Sequence, residues 1–453
     1  MSTTMIAIIA ITILIGLLVI RVPVGFSLLA AGGIGLLLLD GFNLASIGIA
    51  AEQYTAVASA SLVVIPLFIL MGMFAMEAGV AEGAFRLANK SVGRLPGGLG
   101  IATVLVCAVF AAVSGSSPAT VATVGRIAVP EMRKAGYSRE FTAGIVGTAG
   151  TLGVLIPPSI IAVVFGITTE VSIGNLLIAG ILPGVVSVLV LSLYIVTRAV
   201  RTPAMVNDHS YRPGSSAAFA ELDALPNVPS VARRRDLYSL LGILVMFGVV
   251  IGGIYSGIFT ATESAAFGAL IGLAVLLIAR LRTGKFVSSF MSALRESAST
   301  STMIFVIMIG ASVFTNFLVR SGVTRAISDA ILGLELSPYM LVVGVLLLML
   351  PLGMFLDSIS IILITMPMFW PVLEATGVNG IWFGIMTIVM IEIGLITPPV
   401  GINGFVLTGI ADDIDIEQTF KGFFPLVFVQ LAIVALIFAF PGIATLLPEL
   451  MRG

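Results

Sequence analysis

The chain has 453 residues, of which 58% are hydrophobic and 10% charged, and its formal net charge is −1. Soluble domains carry about 25% charged residues, so a soluble fold is excluded; the near-zero charge identifies no partner. Apolar runs of the ~20 residues that cross a ~30 Å hydrocarbon core recur along the whole length, and stretches such as Met5 to Ile20 and Leu341 to Leu352 are apolar on every face, which excludes the alternating strands of a barrel.

In chain order, spans are predicted near residues 5–20, 24–39, 62–76, 98–113, 140–167, 174–197, 237–254, 261–279, 301–319, 338–352, 381–410 and 418–441. No basic region precedes Met5 and no small-residue cleavage site follows it, so the first span is expected to stay in the mature chain. The stretches 41–60, 83–95 and 285–298 are less apolar and amphipathic, as interfacial arms or struts would be. The single cysteine, Cys107, lies in an apolar run and is expected to pack there.

Short cytoplasmic loops hold an excess of Lys and Arg. Arg21, the groups around Arg86, Arg133 and Arg280, and the tract from Arg198 to Arg235 share one side only if 98–132 and 338–373 each enter and leave on the same face. Both are therefore read as re-entrant hairpins, opening to opposite sides, with both termini outside. Residues 198–236, polar and ending in Arg233, Arg234 and Arg235, form the linker between halves.

A constant offset of 241 residues pairs the halves: Ser117 falls on Ser358, Pro130 on Pro371, Gly136 on Gly377, Gly153 on Gly394, Pro157 on Pro398 and Pro158 on Pro399. Each half holds a hairpin with a polar tip and then a helix broken at a double proline. Opposed hairpins make this an inverted repeat, the architecture of alternating-access carriers. The expected fold is an all-α polytopic membrane protein of this kind. Its units are 1–97 (scaffold and arm), 98–197 (first transport repeat), 198–236 (linker), 237–337 (scaffold and arm) and 338–453 (second transport repeat).

A hairpin tip or helix break at membrane depth leaves carbonyls and hydroxyls without helical partners, and hard cations take such oxygens. One sodium ion is placed near Ser114, Gly115, Ser116, Ser117 and the break Gly153, Pro157, Pro158 and Ser159. A second is placed near Asp357, Ser358, Ser360 and the break Thr397, Pro398, Pro399, Gly401 and Asn403. Amide groups at a break suit an anionic substrate, and Arg126, whose planar fork matches a carboxylate, joins Ser116 and Asn403 as the substrate candidates. Snorkelling, or pairing with Glu131, is the alternative for Arg126. Glu392, just before the second break, is the remaining intramembrane charge, a functional candidate or a structural hydrogen-bonder. Sodium apart, no metal or cofactor is expected.

The run from Ser114 to Met132, then Gly136-Tyr-Ser138, Leu155-Ile-Pro-Pro-Ser159 and Thr397-Pro-Pro-Val-Gly401, resembles the large membrane subunit of tripartite ATP-independent periplasmic (TRAP) transporters over nearly the whole chain. The resemblance implies an elevator-type fold, sodium coupling, a small four-helix membrane subunit as partner, and a periplasmic binding protein that delivers a carboxylate or sugar acid. It implies ion sites at the tips and breaks, and residence in a bacterial inner membrane. The linker at 203–232 is longer than that family's usual. A stand-alone sodium–dicarboxylate symporter of the same architecture is the closer rival. A hydrolase would need a base beside its serine, and the only histidine, His209, lies in the linker. A pump would need a phosphate loop, and Gly284-Lys285 lacks its remaining residues.

Overall fold

The computed structural model describes residues 2–206, 230–333 and 335–451. The middle of the expected linker, with His209, lies outside the described residues, as do the side chains of Arg233, Arg234 and Arg235. Among the described residues the fold is helical without strands. Eight helices are long and apolar enough to span a bilayer, nine with a pair bent by 45°.

The first half runs through α1 (Thr3–Val19), α2 (Val24–Thr55), α3 (Val64–Glu77) and α4 (Val80–Val92). The first hairpin follows as α5 (Gly98–Ser114) and α6 (Ser117–Lys134), then the broken helix as α7 (Arg139–Gly150), the one-turn α8 (Leu152–Leu155) and α9 (Ile160–Thr169), then α10 (Ile173–Ala179) and α11 (Ile181–Arg201). The second half repeats the plan. Its scaffold is α12 (Ser230–Tyr255), α13 (Ala261–Arg280), α14 (Phe286–Arg320) and α15 (Val323–Leu332). Its hairpin is α16 (Pro338–Phe355) and α17 (Ser358–Ala375), its broken helix α18 (Gly380–Leu395) and α19 (Ile402–Thr408), and it ends with α20 (Ile416–Ala439) and α21 (Gly442–Leu450).

The expected hairpins and breaks are present, and the bond between the two prolines is cis at both breaks. The elements begin where caps dictate: Ser138, Ser337, Asn379 and Asp415 each accept a backbone N–H at the start of α7, α16, α18 and α20. One boundary differs from the sequence reading, at the arm of the second half. The span at 24–39 and the arm after it are two helical segments, as expected, that meet at Gly41, whose φ of 75° and ψ of 173° are not helical and turn the chain between them. The arm at 285–298 runs straight into the next span as a 35-residue helix, because no Gly or Pro interrupts Phe286 to Thr300. The span at 174–197 is present as Ile173–Arg201, with a turn at Gly180. The short helices α15 and α21 were not expected.

α2 and α14 cross closely: a Cβ on Gly32 would fall 2.7 Å from the Phe314 Cα, the small-residue approach by which membrane helices pack without a hydrophobic drive. The repeats then exchange partners. α6, returning from the first tip, packs on α19 of the second half, with Gly125 against Ile410 and Leu407. α17, returning from the second tip, packs on α9 of the first half, where Trp370 meets Phe165 edge-on. These are equivalent contacts under the 241-residue offset, so the two repeats form one interlocked core.

Candidate functional site

The first tip is closed and oxygen-rich. Gly115, with φ of 61°, ends α5 and brings the chain over within two residues. The Ser114 hydroxyl donates to the Ser116 carbonyl at 3.1 Å. The Thr120 hydroxyl lies 2.8 Å from that carbonyl and 3.1 Å from the Ser114 oxygen. Three oxygens thus converge at the N-terminus of α6. The first break seats on them: a Cβ on Gly153 would meet the Ser116 carbonyl at 2.9 Å and the Thr120 hydroxyl, and one on Gly115 would meet the Pro158 carbonyl at 3.1 Å. Pro157 and Pro158 are buried, and Ser159 caps α9 through the Ala162 N–H at 3.1 Å. Of the residues named for this site, Ser114, Gly115, Ser116, Gly153 and Pro158 are together. Ser117 faces elsewhere. Thr120, one turn after Ser116, is an oxygen that the sequence reading passed over.

The second tip is arranged differently. Asp357 caps α17, its carboxylate accepting from the Ser360 N–H at 3.1 Å and from the Ser360 hydroxyl. The Thr397 hydroxyl is turned back to the Ile393 carbonyl at 2.6 Å. Gly401, with φ of 55°, opens α19. Pro398 and Pro399 are exposed where their counterparts are buried, so the two breaks are equivalent in sequence and unequal in access.

Ser358 and Asn403 point into the junction between repeats. The Ser358 hydroxyl donates to Glu392 Oε1 at 3.0 Å, and the Asn403 amide donates to the Ser117 hydroxyl at 2.7 Å. Ser117 and Ser358, the repeat mates, therefore flank Glu392. That carboxyl was singled out in the sequence by its depth alone; its contacts come from residues too far apart in the chain for spacing to show.

Arg126 is exposed and makes no ion pair with Glu131. It ends a half-open face of α6 that carries Pro118, Ala119, Ala122 and Thr123. The repeat mates of Ala122 and Arg126 are Leu363 and Pro367, and these line a cavity of about 410 Å³ between the core and the scaffold helix α14, with Thr168 and Asn316. Glu52 on its wall is held by Ser312 (2.6 Å) and Asn316 (2.7 Å), and Arg320 by Asp40 at 2.7 Å. Among the described residues no cluster of His, Cys, Asp and Glu is suited to a metal.

Two interlocked repeats with paired tips and broken helices, and a core separated by a cavity from a scaffold, are the parts of a carrier. Residues 11–443 match the family model described as the DctM component of the tripartite ATP-independent periplasmic transporter. The chain belongs to this family. It is 37% identical to the C4-dicarboxylate TRAP transporter large permease protein DctM of Pseudomonas aeruginosa, over 93% of this chain and 94% of that one. It is 34% identical to the isethionate TRAP transporter permease protein DctMQ of Oleidesulfovibrio alaskensis, over 87% of this chain and 59% of that longer one. The solved structure of the YdaH transporter from Alcanivorax borkumensis, described as having an unusual topology, shares the fold, with a TM-score of 0.64 at 16% identity over 90% of each chain. The TRAP large permease described here is a multi-pass membrane transport protein and not an enzyme.

Proposed function

We propose that this permease subunit carries out sodium-driven uptake of a small organic anion, a C4-dicarboxylate or another carboxylate or sugar acid, across a bacterial inner membrane. The observation that carries the reading is the first tip, where Ser114, Ser116 and Thr120 present convergent oxygens against the Gly153 break, the donor chemistry of a hard cation. The second sodium belongs to the second tip and break. Arg126, exposed on the open face of α6, is the group for a substrate carboxylate.

The core moves as one body against the scaffold, elevator fashion, and the cavity beside α14 is the outer vestibule in the orientation set by the basic loops. A small membrane subunit stabilises the scaffold and a periplasmic binding protein delivers the substrate; the relatives named as TRAP permeases support both partners.

The test is uptake in proteoliposomes holding this chain, its small subunit and the binding protein. Accumulation is expected with an inward sodium gradient and no ATP. Accumulation that persists with potassium in place of sodium sinks the reading, and accumulation of free substrate by this chain alone would favour a stand-alone symporter.

A further inference from the structure

We propose that the cavity between the core and α14 is an outer recognition site for the substrate, and that it admits a small monocarboxylate whose far end carries hydrogen-bond donors, hydroxyl or ammonium, in preference to a dicarboxylate. This rests on the transport reading above and narrows its substrate class.

At about 410 Å³ the cavity falls within the roughly 300–1,000 Å³ of small-molecule sites. Its walls come from both bodies, with Thr168 and Leu363 on the core and Glu52, Ser312, Asn316 and Arg320 on the scaffold. Both Glu52 oxygens accept, Oε2 from the Ser312 hydroxyl at 2.6 Å and Oε1 from Asn316 Nδ2 at 2.7 Å, the pattern of an ionised carboxylate. Those two donors are thereby used, and the Thr168 hydroxyl is turned back to the Val164 carbonyl at 2.8 Å. Asn316 Oδ1 is buried without a partner. This stretch of wall therefore offers acceptors, the orphan amide oxygen and the spare lone pairs of Glu52, and is completed by a ligand that donates.

Charge sorts ligands in the same sense. Arg320, one turn further along α14, has Nη1 2.7 Å from Asp40 and a side chain 40% exposed, so its other N–H groups face a ligand carboxylate while Asp40 offsets its charge. Among the described residues Glu52 makes no ion pair, and it leaves the cavity with one uncompensated negative charge. The second carboxylate of a dianion would meet that charge in a partly enclosed site, where like charges repel more strongly than in open water. A mere tie between the arm of α2 and α14 does not need the charge, because glutamine can make the same two hydrogen bonds.

The experiment is equilibrium binding of three radiolabelled four-carbon probes, succinate, 4-hydroxybutyrate and 4-aminobutyrate, to the full chain with its small subunit in nanodiscs, in sodium. The two donor-bearing probes are expected to bind about 10-fold more tightly than succinate, about 1.4 kcal/mol, and the tighter of the two tells ammonium from hydroxyl. Glu52→Gln should erase the preference by tightening succinate. Ala56→Lys, which sets a cation one turn from Glu52 in the same cavity, should do likewise and carries the test if Glu52→Gln does not fold. A wild type that prefers succinate, a preference unchanged in both variants, or no binding of either donor-bearing probe overturns the inference. Binding that is the same in potassium as in sodium counts against the coupling reading alone and leaves this site standing.

Discussion

Arg133, wholly buried at the base of the first hairpin, donates from Nε to Asp413 Oδ2 at 2.9 Å, joining two residues 280 positions apart, and its guanidinium also reaches the Tyr137 carbonyl. The pair ties α6 to the loop after α19, the same two elements that pack across the repeats. Removing one partner of a buried pair leaves a charge stranded and costs about 3–5 kcal/mol. Asp413→Ala is therefore expected to lower the thermal midpoint of the detergent-solubilised chain strongly, and Arg133→Met with Asp413→Leu to recover part of the loss. An unchanged midpoint in Asp413→Ala would show the pair to be idle.

At the first tip the contributing atoms differ between neighbours. Ser116 lends its main-chain carbonyl, whereas Ser114 and Thr120 lend hydroxyls. Ser114→Ala and Thr120→Ala should each raise the sodium concentration for half-maximal uptake by about 10-fold or more, since a hydrogen bond to a charged group is worth about 1.5–3 kcal/mol, while Ser116→Ala changes it little. A sodium titration of uptake in which Ser116→Ala is the most affected would contradict this geometry.

A methyl group at Gly153 would press on the Ser116 carbonyl and the Thr120 hydroxyl, whereas nothing lies within 4 Å of one at Gly252. Gly153→Ala is expected to lose sodium-driven uptake by pushing the tip off the break, with assembly intact by size-exclusion chromatography. Gly252→Ala serves as the control and should transport normally, since alanine only favours its helix.

Orientation is testable because the sole cysteine, Cys107, is buried and leaves little labelling background. Ser91→Cys should react with an impermeant maleimide only from the cytoplasmic side and Ala326→Cys only from the periplasmic side, both positions being at or near the surface. Reaction of Ser91→Cys in intact cells would reverse the assignment.

The repeat was legible because its punctuation is chemical: a glycine or double proline limits the backbone wherever it stands, so Gly153 with Gly394 and Pro157 with Pro398 mark the breaks without tertiary information. The arm of the second half was misjudged because polarity, not geometry, was read there. Phe286 to Thr300 is less apolar than the following span yet contains nothing that ends a helix. Ser117 and Ser358 were assigned to the tips beside their neighbours, but residues at a helix start point in several directions, and only folding shows both turned to Glu392. Asn403, 286 positions from Ser117, reaches it through the exchange of partners between halves, which no local pattern encodes.

The two breaks are unequal in burial, and under the sodium reading that inequality predicts an order of events. With Pro157 and Pro158 buried in the core while Pro398 and Pro399 are exposed, the proposed sodium reading predicts that an ion at the second break exchanges first and that one at the first waits for its tip to part from Gly153. On that reading the first site fills and empties more slowly than the second. Tracer release from the pre-loaded chain should accordingly show two phases, the slow one sensitive to Thr120→Ala and the fast one not, and the slow ion would act as a latch whose departure times the return stroke.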